Sequence, residues 1–72
     1  RGYLKRALAT LPERERHIFT ERRLKDDPPT LEELGKHYGI SRERIRQLEV
    51  RAFDKVQAAV VSAQAAEGGI EA

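Results

Sequence analysis

Between Thr30 and Val56 the chain reads TLEELGKHYGISRERIRQLEVRAFDKV. This is two helical patterns joined by only about three residues, the spacing of a helix-turn-helix unit. So short a join leaves the second helix little freedom relative to the first. Thr30-Leu31-Glu32-Glu33 has the form of a capping box, in which the Thr hydroxyl and the Glu carboxylate satisfy each other's orphan amides. Leu31, Leu34 and Tyr38 recur at three and four residues and line one face. Gly39 suits the left-handed position that ends a helix. Ile40 can then bury beneath the turn, and Ser41 caps the next helix. From Arg42 onward Ile45, Leu48, Ala52, Val56 and Val60 make a buried stripe, flanked by Glu49 and Phe53. Glu43, Gln47, Val50 and Asp54 fall on the opposite side of the same helix.

The remainder is helical in the same idiom. Leu4 and Leu8 share a face within Tyr3–Ala9. Pro12 suits the first turn of a second helix, followed by Glu13 and Glu15 at its negative-preferring end. Ile18 and Phe19 give that helix its apolar side. Lys25-Asp26-Asp27-Pro28-Pro29 cannot continue a helix and reads as a linker. No strand pattern and no internal repeat is visible. The expected fold class is all-α, a small bundle of about four helices containing a helix-turn-helix. Residues 1–61 form the expected domain, with the helix-turn-helix at 30–57. The last helix is expected to run from Arg42 to Ala59 or beyond, and 62–72 to form a frayed or disordered tail.

Composition narrows the function. The chain has 72 residues, enough for one small core. It has no Cys, so disulfides and thiolate metal sites are excluded. His17 and His37 are too far apart in sequence to suggest a ligand pair and read as surface histidines, so no metal is expected. Apolar runs are too short to span a bilayer, so no membrane partner is expected. The missing initiator Met leads us to expect a piece of a longer polypeptide. No nucleophile sits beside a base, and no Gly-rich phosphate loop appears, so neither an enzyme nor a cofactor is expected. The net charge is only +2. Its distribution says more: Lys and Arg crowd residues 1–25 and 42–51, and none follows Lys55. Basic charge near helix starts is where a polyanion can be met, although a salt-bridged helix surface looks the same.

A recognition helix needs early turns free of core duty and rich in side chains that match base edges. Arg pairs with guanine, Gln with adenine, and Glu accepts from cytosine. Arg42, Gln47 and Glu43 supply one of each. Arg44 and Arg46 flank them within reach of phosphates. Three functions stay open on the residues alone: a promoter reader, a stand-alone transcriptional regulator, and a helical module that binds only protein.

The quoted stretch closely resembles region four of bacterial RNA polymerase sigma factors of the primary and heat-shock type. LPERERHIFTERRL resembles the first half of that region, and the SRERIRQLE block is its most specific string. The likeness spans Leu11 to about Val56. ERRLKDD and VRAFDKVQ are most similar to heat-shock sigma factors of proteobacteria. The resemblance implies a cytoplasmic transcription protein that recognises the −35 element of double-stranded promoter DNA, for heat-shock or stress genes. It implies docking on the flap of the polymerase β subunit. It places Arg42, Glu43 and Gln47 at bases, and Arg14, Thr30, Arg44, Arg46 and Arg51 at the DNA backbone. Around Arg51 it also allows contact with activators, and anti-sigma or chaperone regulators are further partners it allows. Asp54 stands where the primary type carries a basic residue. For the flap, the apolar residues Leu24, Phe53, Val56 and Val60 are the expected surface, on the view that three short helices cannot cover the whole stripe.

Overall fold

The computed structural model describes residues 2–68, with side chains through residue 66. Four helices follow in order: α1 (Tyr3–Ala9), α2 (Glu13–Arg23), α3 (Leu31–Tyr38) and α4 (Arg42–Gly68). No strand occurs among the described residues. The helix ends show why each element starts and stops. Thr10 closes α1 by donating both its backbone N–H (3.1 Å) and its hydroxyl (2.6 Å) to the Ala7 carbonyl. Pro12 serves as N-cap of α2, its carbonyl accepting from the Arg16 N–H at 2.9 Å. Glu13 and Glu15 then sit at the positive end of α2, and Arg22 and Arg23 at its negative end.

The capping box at α3 is present in full. Thr30 Oγ1 accepts from the Glu33 N–H at 3.0 Å, and Glu33 Oε1 accepts from the Thr30 N–H at 2.8 Å. Gly39 ends α3 at φ 69°, the left-handed conformation that costs a glycine least. Its N–H and that of Ile40 (2.9 Å) both reach the Gly35 carbonyl. Ser41 Oγ then accepts from the Arg44 N–H at 3.0 Å and opens α4. Gly35 makes this turn possible in a second way. A Cβ there would stand 2.7 Å from the Ile40 carbonyl oxygen. Only a bare Cα lets the turn fold back so closely on α3.

α4 is the common wall, and each of the other helices packs on it. One buried cluster joins Ala7, Leu11, Phe19, Ala52 and Val56, with Leu8, Ala59 and Val60 against it. The second joins Ile18, Leu34, Ile45 and Leu48, with Leu31, Tyr38 and Ile40 against it. The first cluster ties α1 and α2 to the middle of α4. The second ties α2 and α3 to its start.

Two expectations change. Val56 is not solvent-facing: it is 6% exposed and belongs to the core, and Val60 packs half-buried beside it. The reason is α1, whose Ala7 and Leu8 belong to the same packing group, with Leu11 just beyond it. The last helix is also longer than the domain boundary at residue 61 suggested. It continues through Gly68, so 62–68 are helical where a tail was expected. Residues 69–72 of that tail lie outside the described residues. With 27 residues, α4 gives the molecule its long axis of 46 Å.

Two substitutions test this packing. Leu48 is 2% exposed between α2, α3 and α4. Leu48→Ala should destabilise by about 2–5 kcal/mol, a large share of a small domain's total. A melting temperature unchanged in circular dichroism would show that α4 is rotated from the phase described. Gly35→Ala would normally favour a helix, but here it meets backbone. Melting should show a net loss of about 1–3 kcal/mol, the range for overpacking, whereas a stabilised variant would show that the turn can open freely.

Candidate nucleic-acid interface

The first two turns of α4 carry no core duty except at Ile45 and Leu48. Arg42, Glu43, Arg46 and Gln47 are exposed, and Arg44 is half-buried. The structure thus brings together every base-facing residue expected from the sequence, on one end of one helix. Their present partners are one another. Arg46 grips Glu43 with two bonds, Nε to Oε1 at 3.0 Å and Nη2 to Oε2 at 2.6 Å. Arg44 Nη1 donates to Gln47 Oε1 at 3.3 Å. The Arg42 side chain has no hydrogen-bond partner among the described residues. The Arg46 hydrogen bonds hold the Glu43 carboxyl below its ordinary pKa. Glu43 therefore stays an anion, able only to accept, as a cytosine amino group requires. These pairs are solvent-exposed, so an incoming phosphate or base edge displaces them at small cost.

The expected backbone contacts sit on three elements. Arg14 is exposed in α2, on a cleft lined also by Arg16, His17, His37 and Tyr38. Thr30 caps α3, where the N–H groups of Leu31 and Glu32 have no partner among the described residues. Such amides at a helix start suit a phosphate oxygen. Arg51 is exposed on α4, two turns beyond Arg44 and on the same face.

Several structural groups escaped the sequence reading. Glu49 looked like a flanking residue but is 6% exposed. Its Oε1 accepts from Arg22 Nε at 3.1 Å and its Oε2 from Arg23 Nε at 2.6 Å. Burial pushes this carboxyl's pKa up, and the two arginines outweigh it, leaving the group below the ordinary carboxylate range. The signal was available in part. Glu49 lies four residues after Ile45 and three before Ala52, inside the buried arc, where a carboxylate demands a partner. The Arg22-Arg23 pair at the end of α2 was ready to supply it. Glu15, also buried, pairs with Lys55 at 3.0 Å and makes a second α2–α4 tie. His17, read as a surface residue, is half-buried, its Nδ1 against the Tyr38 hydroxyl. Burial raises the Tyr38 pKa, so this hydroxyl keeps its proton. His37 is exposed, its ring 4.7 Å from that of Tyr38. No cluster that could hold a metal ion occurs among the described residues.

An apolar surface does remain, smaller than expected and differently composed. Leu24 (44%) and Phe53 (38%) are exposed, and Val50 (43%) joins Phe53 one turn earlier on α4. The Arg23 guanidinium lies 4.9 Å from the centre of the Phe53 ring, a cation–π contact on the rim of the patch. No helix among the described residues is long and apolar enough to cross a membrane.

Comparison with known proteins agrees with this geometry. The family described as Sigma-70, region 4, matches residues 7–58. The chain is 58% identical over 69 residues to RNA polymerase sigma factor RpoH of Caulobacter vibrioides, covering 96% of this chain and 23% of that protein. It is 64% identical over 55 residues to RNA polymerase sigma factor RpoH of Zymomonas mobilis, covering 76% of this chain and 18% of that one. With the RNA polymerase sigma-C factor of Myxococcus xanthus it shares 50% over 71 residues, covering 99% and 24% respectively. The chain therefore spans about a quarter or less of the length of the curated relatives it matches. A turn built on Gly35 and Gly39, an exposed charged start to α4 and the match over residues 7–58 give one conclusion: this chain belongs to the sigma-70 region 4 family.

Proposed function

We propose that this chain recognises the −35 element of bacterial promoters as the C-terminal part of a heat-shock-type sigma factor in the cytoplasm. The observation that carries this is the exposed Arg42–Gln47 end of α4, joined to α3 by a turn that packs closely against Gly35. Arg42, Glu43 and Gln47 read base edges in the major groove. Arg14, Arg44, Arg46, Arg51 and the N-terminus of α3 at Thr30 hold phosphates and set the register. The Glu43–Arg46 and Arg44–Gln47 pairs keep the reading end ordered until DNA replaces them. The heat-shock assignment rests on the two relatives named sigma factor RpoH and on the ERRLKDD and VRAFDKVQ segments. The domain has no catalytic role of its own; the polymerase makes the RNA.

Docking on the polymerase β flap uses the surface that the fold leaves open. Leu24, Val50 and Phe53 form it, with Val56 in the core below and Val60 half-buried against that core. A short amphipathic helix laid against this exposed apolar surface is the partner whose chemistry fits.

Binding experiments separate the roles. Arg42→Ala should cost on the order of 1–3 kcal/mol, concentrated at one base pair. Arg46→Ala should weaken binding to all sequences and flatten its salt dependence. Equal losses on promoter and scrambled DNA for Arg42→Ala would remove its base-reading role. For the second surface, Phe53→Asp should abolish binding to an isolated β-flap fragment while DNA binding and the melting temperature hold. Unimpaired flap binding would show that the partner sits elsewhere.

A further inference from the structure

The hydrogen bonds of Arg22 run in two directions. Its Nε donates to Glu49 on α4 at 3.1 Å, and its Nη1 donates to the Pro29 carbonyl at 3.1 Å. Pro29 directly precedes Thr30, the cap of α3. A single guanidinium therefore bridges the second turn of α4 and the backbone just before the start of α3. The other end of α3 is already fixed, where Gly35 lies against the Ile40 carbonyl. With both ends held, pivoting α3 on α4 would break one of these contacts. Arg23 takes the second oxygen of Glu49, so the buried carboxylate is compensated even when Arg22 serves the linker.

We propose that Glu49 and Arg22 are positioning residues for promoter discrimination, locking the phosphate-facing start of α3 at a fixed distance from the base-facing start of α4. This rests on the reading that Thr30 marks a backbone contact and Arg42–Gln47 the base contacts. Base edges discriminate only when backbone contacts hold the helix in one register. A loosened α3 start lets the reading helix settle in several registers. Each of these keeps its charge attraction to DNA and loses part of its base matching. Neither residue touches DNA in this account. Their effect is felt through α3 and α4.

The test measures discrimination separately from affinity. The 72-residue chain is incubated at low salt with a duplex library carrying a randomised hexamer, and the bound fraction is sequenced. Glu49→Gln keeps the shape of the side chain and weakens its hold on Arg22. Arg22→Met removes both donors and leaves Glu49 paired with Arg23. Circular dichroism melts set an assay temperature at which every variant is folded. A partly unfolded variant would bind every sequence less by one common factor, leaving enrichment ratios untouched. We expect each variant to retain total DNA within about twofold, while enrichment of the best hexamer over the median falls about tenfold. Wild-type enrichment in both variants overturns the inference, and so does a uniform loss of binding with enrichment preserved. A wild-type chain that enriches no hexamer overturns the base-reading assignment itself, and the inference falls with it.

Discussion

Every helix of this domain is held by one apolar stripe. Ile45, Leu48, Ala52 and Val56 on α4 supply the shared surface of both buried clusters. α1 and α2 meet its middle, and α2 and α3 meet its start. In so small a chain no second layer exists to compensate if the stripe is lost. The same arrangement explains how the Arg42–Gln47 end can be exposed on a helix that is otherwise packed, as the proposed DNA-reading role requires. α4 is buried along one side only, which leaves the opposite side of its first turns open to solvent.

Polar contacts then set angles that apolar packing leaves loose. Hydrophobic burial has no direction, whereas a carboxylate between two guanidinium groups has a preferred geometry. Glu49 with Arg22 and Arg23, and Glu15 with Lys55, both join α2 to α4. A buried ion pair is weak evidence of net stability, because desolvation offsets its attraction. Its value here lies in orientation. The close approach of Gly35 to the turn plays the same part between α3 and α4, through steric exclusion instead of charge.

Local signals were legible in the sequence and long-range ones were not. The bounds of α1, the capping box at Thr30, the left-handed Gly39 and the Ser41 cap all depend on neighbours within about four residues, and each is present. The grouping of Arg42, Glu43 and Gln47 follows from helix period alone. Periodicity alone put Val56 on the buried stripe, but that α1 covers it in place of a partner depends on a segment more than forty residues away in the chain. Glu49 escaped for a related reason: periodicity placed it at the edge of the stripe, and only the approach of α2 buries it. The C-terminal limit of α4 was legible only in part, since Ala-rich sequence allows a helix without requiring one.

In the proposed function the first turns of α4 meet bases while its packed remainder does not. Nuclear magnetic resonance tests this directly, by titrating the labelled chain with a duplex carrying its preferred hexamer. The largest shifts are expected at the Arg42 Nε and Gln47 side-chain amide signals. Smaller ones are expected at Thr30 and Arg14, with residues 57–66 unmoved. Unshifted Arg42 and Gln47 signals, with the main changes elsewhere on the domain, would contradict that proposal.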